Sequence, residues 1–227
     1  MTHLGYVTNR MSDALRPLLD EVLAAWAARV RANAEQVERF REVPDPPDFY
    51  APVSDLFRAD PRRDDEPTLD QLRALARPDD TWLDIGAGAG RYALPLALVV
   101  REVVAVEPSA GMVQALRDGM VEHGIANLRI VQGGWPPEAP TTGAPIADPP
   151  RADVALIAHL GYDIEQLGPF LNAMEAAAER LCVAVLMERQ PSSIADPFWP
   201  IVHGEERIPL PALPEFLTVL TARDRAF

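Results

Sequence analysis

The stretch that most constrains this chain is Trp82-Leu83-Asp84-Ile85-Gly86-Ala87-Gly88-Ala89-Gly90-Arg91-Tyr92, with its sequel Val103-Val104-Ala105-Val106-Glu107-Pro108-Ser109-Ala110-Gly111-Met112. Trp82, Leu83 and Ile85 predict a short buried strand, and Gly86, Gly88 and Gly90 let the backbone turn tightly against a ligand that side chains would block. Helical spacing resumes at Arg91. That order puts the loop at the carboxyl edge of a parallel sheet, where doubly wound folds bind ligands. Val103 to Val106 predicts a second buried strand closed by Glu107, whose carboxylate can accept hydrogen bonds from both hydroxyls of a ribose. Together the two segments predict a nucleoside-binding crevice.

The details select among nucleosides. A dinucleotide fingerprint is G-x-G-x-x-G, whereas the spacing here is G-x-G-x-G, and Asp84 adds a carboxylate two residues before the first glycine. An extra carboxylate suits a ligand carrying an ammonium better than one carrying two phosphates. The run resembles motif I of the class I S-adenosylmethionine-dependent methyltransferases, and Glu107-Pro108-Ser109-Ala110-Gly111-Met112 resembles the continuation of that family. The resemblance implies that Asp84 holds the methionyl amino group, often through water, that Gly86, Ala87, Gly88 and Gly90 form the cradle, and that Glu107 holds the ribose. Ser109 is the expected helix N-cap, with Pro108 and Met112 near the adenine. The family usually carries an acid after the third strand, bonded to the adenine amino group. Here that place reads Gln132-Gly133-Gly134-Trp135. Gln132 is the expected substitute through its side-chain carbonyl, and the Trp135 indole is expected to stack on the base.

Hydrophobic periodicity supplies the rest of the architecture. Residues 13–42 carry one apolar stripe, Leu15, Leu19, Val22, Trp26, Val30, Ala34, Val37 and Phe40, at helical steps, which can dock on the sheet domain, cover the site as a lid or pair with another copy, a lid or dimer contact being favoured over a free helix. Residues 43–67 are proline- and acid-rich with an aromatic island at Phe49, Tyr50 and Phe57, and Thr68 opens a helix by a capping box. Helices are predicted at 91–99, 110–123, 165–178 and 214–222, and strands at 128–132, 153–158 and 181–187. The expected fold is α/β, a doubly wound Rossmann-like, mainly parallel sheet of order 3-2-1-4-5. It comprises a helical extension at 1–67 and the binding domain at 68–227. The chain stops at Phe227, leaving no residues for the terminal β6/β7 hairpin common in the family.

Residues just after the fourth strand normally face the transferred methyl group in this family. His159 and Tyr162 are therefore the catalytic candidates. Tyr50 and Phe57, ahead of the glycine loop, and Trp199 and His203, in the proline-rich tail, are candidate acceptor-binding residues, and Ala158 joins the cofactor set. His203-Gly204-Glu205 matches the H-x-E of zinc deaminases, yet Cys182 is the only cysteine, so no metal site is expected. Asp148-Pro149-Pro150 lacks the aromatic of the amino-methylating DNA enzymes and precedes the fourth strand, so it reads as loop.

Composition narrows the partners. A formal charge of -13 opposes a polyphosphate partner, and all 21 basic residues under Lys+Arg are arginines, which favours a bacterial source. The expected acceptor is a small molecule rather than nucleic acid, with no membrane contact and with homodimerisation possible. The first eleven residues lack a charged segment leading into an apolar core, so a cytoplasmic location is expected. The expected function is methyl transfer from S-adenosyl-L-methionine, leaving S-adenosyl-L-homocysteine. The alternatives are a degenerate subunit that binds the cofactor without transfer, and a nicotinamide-dependent oxidoreductase.

Overall fold

A computed structural model describes residues 16–138, 140 and 143–227; the predicted helix start at 13–15, with Leu15, lies outside the described residues. Five parallel strands form one sheet in the order β3-β2-β1-β4-β5, with β1 Thr81–Ile85, β2 Glu102–Glu107, β3 Leu128–Gln132, β4 Ala152–Ala158 and β5 Ala178–Val185. Side chains alternate across each strand, so the sheet sorts its apolar residues into two layers. Leu83, Ile85, Val104, Val106, Ala155 and Ile157 face one layer, and Trp82, Val103, Ala105, Val154 and Leu156 face the other.

The helices α1 Arg16–Arg39, α5 Leu167–Ala177 and α7 Leu213–Ala222 supply the first layer through Trp26, Val30, Phe170, Met174, Phe216 and Val219. The second is closed by α2 Pro67–Leu75, α3 Ala93–Ala97 and α4 Ala110–His123, through Leu69, Leu72, Leu94, Leu96 and Leu116. A short α6, Trp199–His203, and 3-10 turns at Ala51–Phe57 and Pro191–Phe198 complete the described elements.

The apolar stripe of α1 lies against α5 and α7. Trp26 donates its indole N–H to the Ile164 carbonyl at 2.8 Å and meets Phe216 edge-on at 6.4 Å between ring centroids. Two buried amides on the same helix grip the tail. Gln36 accepts from the Ile208 N–H at 2.7 Å and donates to the Glu206 carbonyl at 2.8 Å, while Asn33 donates to the Ile208 carbonyl at 2.5 Å. Each buried polar group thereby recovers the partner it loses on leaving water.

Several predicted boundaries shift for identifiable reasons. Glu66, not Thr68, is the N-cap residue of α2, because Pro67 occupies the first helical position, where its missing N–H costs nothing. The helix predicted at 91–99 is α-helical only over Ala93–Ala97, and bonds from Leu98 to Pro95 and from Val99 to Leu96 tighten its end. The fifth strand starts at Ala178 rather than 181, since α5 passes into β5 without a loop. By contrast α4 has the predicted limits, with the Ser109 hydroxyl accepting from the Met112 N–H at 3.1 Å and Gly124 in the left-handed conformation at its end. No strand pairs with the outer edge of β5 among the described residues.

Candidate functional site

The carboxyl ends of β1, β2 and β4 open into one cavity of about 2010 Å³. Its floor is the glycine loop. Gly86, Gly88 and Gly90 have φ of 73°, 56° and 88°, values that L side chains rarely adopt, so the tight turn depends on glycine. The positions do different work: a Cβ on Gly90 would lie 2.4 Å from Leu116 Cδ1, whereas one on Gly88 would meet only the Met112 sulfur, at 4.0 Å. Gly90 permits packing beneath the loop, and Gly88 keeps the cavity side open.

Two buried carboxylates stand beside the loop. Glu107 accepts from the Gly88 N–H through one oxygen and from the Ser109 N–H through the other, each at 2.8 Å. Burial outweighs these bonds and raises its pKa, and Asp48 adds repulsion. Burial, reinforced by Glu107 and only partly offset by the Ala93 N–H, pushes the Asp84 carboxyl up to about 7. Neither is in an ion pair among the described residues. Each oxygen of Glu107 has a second lone pair for a hydroxyl. A ligand with ribose hydroxyls and a cationic end fits this donor set, because its charge would relieve the repulsion between the two acids.

Asp48, which the sequence reading missed, closes the cavity rim. It accepts from the Ser109 hydroxyl at 2.7 Å and from the Gly111 N–H at 3.0 Å, joining the 47–57 segment to the start of α4. These bonds hold its pKa down against burial, the Gly111 bond most of all. A Cβ on Gly111 would sit 2.5 Å from Ala51 Cα, so the contact is close. The only prior signal was an acid in a proline-rich loop, which is common in loops of no function.

The cavity wall brings together Tyr50, Phe57, Asp84, Gly86, Ala87, Gly88, Glu107, Pro108, Met112, Gly133, Trp135, Ala158, His159 and Tyr162. Five other candidates lie elsewhere. Gln132 is solvent-exposed at the end of β3, Gly134 is buried with its N–H on the Ala144 carbonyl, and Gly90 is beneath the loop. Trp199 and His203 pack around Phe40, just past the end of α1, His203 lying 4.4 Å from the Phe40 ring and 4.2 Å from Trp199, so they anchor the tail. Trp135 is buried and donates to the Phe170 carbonyl at 3.3 Å, which fixes its indole in the wall. The Tyr162 oxygen accepts from the Met187 N–H at 2.8 Å and ties the wall to the end of β5.

No family model matches the chain. Among curated proteins, the 23S rRNA (uracil(1939)-C(5))-methyltransferase RlmD of Xanthomonas oryzae pv. oryzae is 50% identical over 54 residues, 24% of this chain and 12% of that protein. RlmD of Stenotrophomonas maltophilia is 47% identical over 51 residues, with 22% and 12% covered. The chain thus spans about an eighth of the length of these relatives. The fold is a doubly wound, Rossmann-like α/β fold with a parallel sheet of order 3-2-1-4-5.

Solved structures similar to part of this chain include YcgJ from Bacillus, with a TM-score of 0.48, 20% identity and 68% and 66% of the two chains covered. Another is an S-adenosylmethionine-dependent methyltransferase from Thiobacillus denitrificans in complex with S-adenosyl-L-homocysteine, with a TM-score of 0.45, 15% identity and 60% and 53% covered. The expectation of a small-molecule acceptor with nucleic acid excluded is corrected by the curated relatives, whose described substrate is a uracil of 23S rRNA. Net charge is a sum over the whole surface and does not set the local field at a cavity. The lining here is itself mixed, Arg91 and Arg151 standing among Asp48, Asp84, Glu107, Glu138, Asp163 and Glu165. No helix among the described residues is long and apolar enough to cross a membrane.

Proposed function

We propose that this chain is an S-adenosylmethionine-dependent methyltransferase whose cofactor lies across the ends of β1 and β2. One observation carries the reading: Asp84 and Glu107 are buried, with Glu107 repelling Asp84 and neither in an ion pair among the described residues, beside a glycine loop whose open side faces the cavity. Asp84 would take the methionyl ammonium, Glu107 the ribose hydroxyls, and Gly86 and Gly88 would let the backbone approach. When bound, the cofactor supplies an activated methyl on sulfonium, so the protein's task is chiefly to orient the acceptor and exclude water. Tyr50, Phe57, His159 and Tyr162 line the part of the cavity from which the acceptor would approach.

The curated relatives make RNA the first acceptor class to assay. Cys182 does not line the cavity, and desolvation within β5 together with Glu175 pushes its thiol up to about 11, so it is a poor nucleophile for activating a pyrimidine ring. A base or ribose group that is nucleophilic in its own right fits the cavity residues better. Transfer of labelled methyl from the cofactor to ribosomal RNA, lost in Glu107→Ala, is the expected result. Labelling of no RNA by a protein that binds S-adenosylhomocysteine would favour the second reading, cofactor binding without transfer. That reading draws on the exposure of Gln132, which leaves the end of β3 without a side chain for the adenine amino group.

A further inference from the structure

His159 holds an uncommon backbone conformation at the place where the fourth strand opens into the cavity. Its φ is 54°, in the left-handed region that disfavours residues with a Cβ, while its N–H still bonds the Val185 carbonyl at 2.8 Å. The turn aims the imidazole along the cavity wall, where Nε2 lies 3.4 Å from the Tyr92 hydroxyl. Tyr92 in turn donates to Glu66 Oε1 at 2.7 Å. Glu66 Oε2 takes Arg63 Nε at 2.7 Å and an Arg91 N–H at 2.9 Å.

This chain of bonds has only one consistent assignment of protons. Burial would raise the Glu66 pKa, but the Tyr92 and Arg63 bonds and the Arg63 and Arg91 charges outweigh it, so the carboxylate is ionised and can only accept. The Tyr92 proton is therefore directed to Glu66. The Tyr92 oxygen also takes a hydrogen bond from Arg91, so toward His159 it can only accept, from Nε2–H, which leaves Nδ1 without a proton. The charged and titratable groups facing His159 are Glu66, Arg91 and Tyr92, with Arg63 behind Glu66. Burial first, then Arg91, lower the imidazole pKa, against a smaller opposing effect of Glu66, so the ring is neutral near pH 7.

We propose that Tyr92 and Glu66 are positioning residues that lock His159 in the Nε2–H tautomer, so that Nδ1 accepts the proton of the methyl acceptor. The inference rests on the methyltransferase reading. The acceptor's lone pair forms the bond to the methyl carbon, the carbon–sulfur bond breaks with its electron pair returning to sulfur, and the acceptor proton passes to Nδ1. The resulting imidazolium keeps its Nε2–H on the Tyr92 oxygen, and the Glu66 charge, two bonds away, stabilises it. Neither Tyr92 nor Glu66 was singled out as functional from the sequence, because they belong to the start of α3 and the cap of α2.

Long-range proton–nitrogen NMR of the full chain, with the His159 signals assigned through His159→Gln, reads the tautomer without any substrate. The wild type is expected to show the Nε2–H form at pH 8, and Tyr92→Phe to shift it toward a mixture with Nδ1–H. Glu66→Gln is expected to lower the His159 pKa. In the transfer assay Tyr92→Phe should reduce kcat at least tenfold and move the acidic limb of its pH profile, with S-adenosylhomocysteine affinity changed less than twofold. A predominantly Nδ1–H wild type, or Tyr92→Phe with unaltered tautomer and pH profile, would overturn the inference. Failure of the wild type to bind S-adenosylhomocysteine would instead overturn the methyltransferase reading and, with it, the base role, whatever the tautomer.

Discussion

At Asp84 cofactor binding and stability pull in opposite directions. Its folded pKa is raised from 3.8 to about 7, so between those values the folded chain holds a proton that the unfolded chain has released. Its contribution to stability is therefore fully present below about pH 4 and is lost as pH rises through about 7. Asp84→Asn should remove that loss, stabilising the empty protein by about 2–4 kcal/mol at pH 8 and by little at pH 4, as read from urea denaturation at both pH values. The same variant should bind S-adenosylhomocysteine at least tenfold more weakly. The glycine loop offers a second residue-scale contrast. Gly90→Ala forces a Cβ within 2.4 Å of Leu116 and 2.8 Å of Leu94, and should cost about 2–4 kcal/mol. Gly88→Ala has room, pays only the strain of its φ of 56°, about 1 kcal/mol, and should lose affinity more than stability. Equal stability losses in the two variants, by the same denaturation measurement, would contradict this division of roles.

The element that joins the cavity rim to the sheet is α4. Ser109 caps it, and Asp48 bonds both that hydroxyl and the Gly111 N–H, a carboxylate at the positive end of the helix. Asp48→Ala should cost about 1–2 kcal/mol by thermal denaturation and weaken S-adenosylhomocysteine several-fold. An unchanged affinity would mean that the 47–57 segment does not shape the site. The limits of α4 were legible because cap, apolar face and stop signal, Ser109 and Gly124, all agree along the chain. The strand order and the placement of Asp84, Gly88 and Glu107 on the cavity were legible for a similar reason, since period-two burial and the glycine loop are local patterns. Asp48, Glu66 and Tyr92 were not. Each acts through partners 25 to 67 residues away, a relation that no local periodicity encodes. Trp199 and His203 misled for the converse reason: a cluster of ring residues reads the same whether it lines a site or anchors a tail at the end of α1.

Across the whole molecule, both faces of the sheet are covered, and α1 is part of that cover. Trp26 is buried in the same core as Leu83, Ile85 and Phe170 and also satisfies the Ile164 carbonyl beside the cavity. Trp26→Ala should cost about 3–5 kcal/mol. Because the core is shared, loss of the helix contact should appear as one cooperative transition at lower denaturant, followed by fluorescence and circular dichroism together. Two separated transitions would mean that α1 and the sheet fold independently. As proposed above, this crevice holds S-adenosylmethionine through two buried acids. The most direct test is calorimetric titration of the full chain with S-adenosylhomocysteine and, separately, NAD, repeated with Asp84→Ala and Glu107→Ala. The account predicts micromolar binding of S-adenosylhomocysteine, weakened at least tenfold in each variant, and no binding of NAD. Preferential binding of NAD, or S-adenosylhomocysteine binding unaffected by loss of either carboxylate, would contradict it.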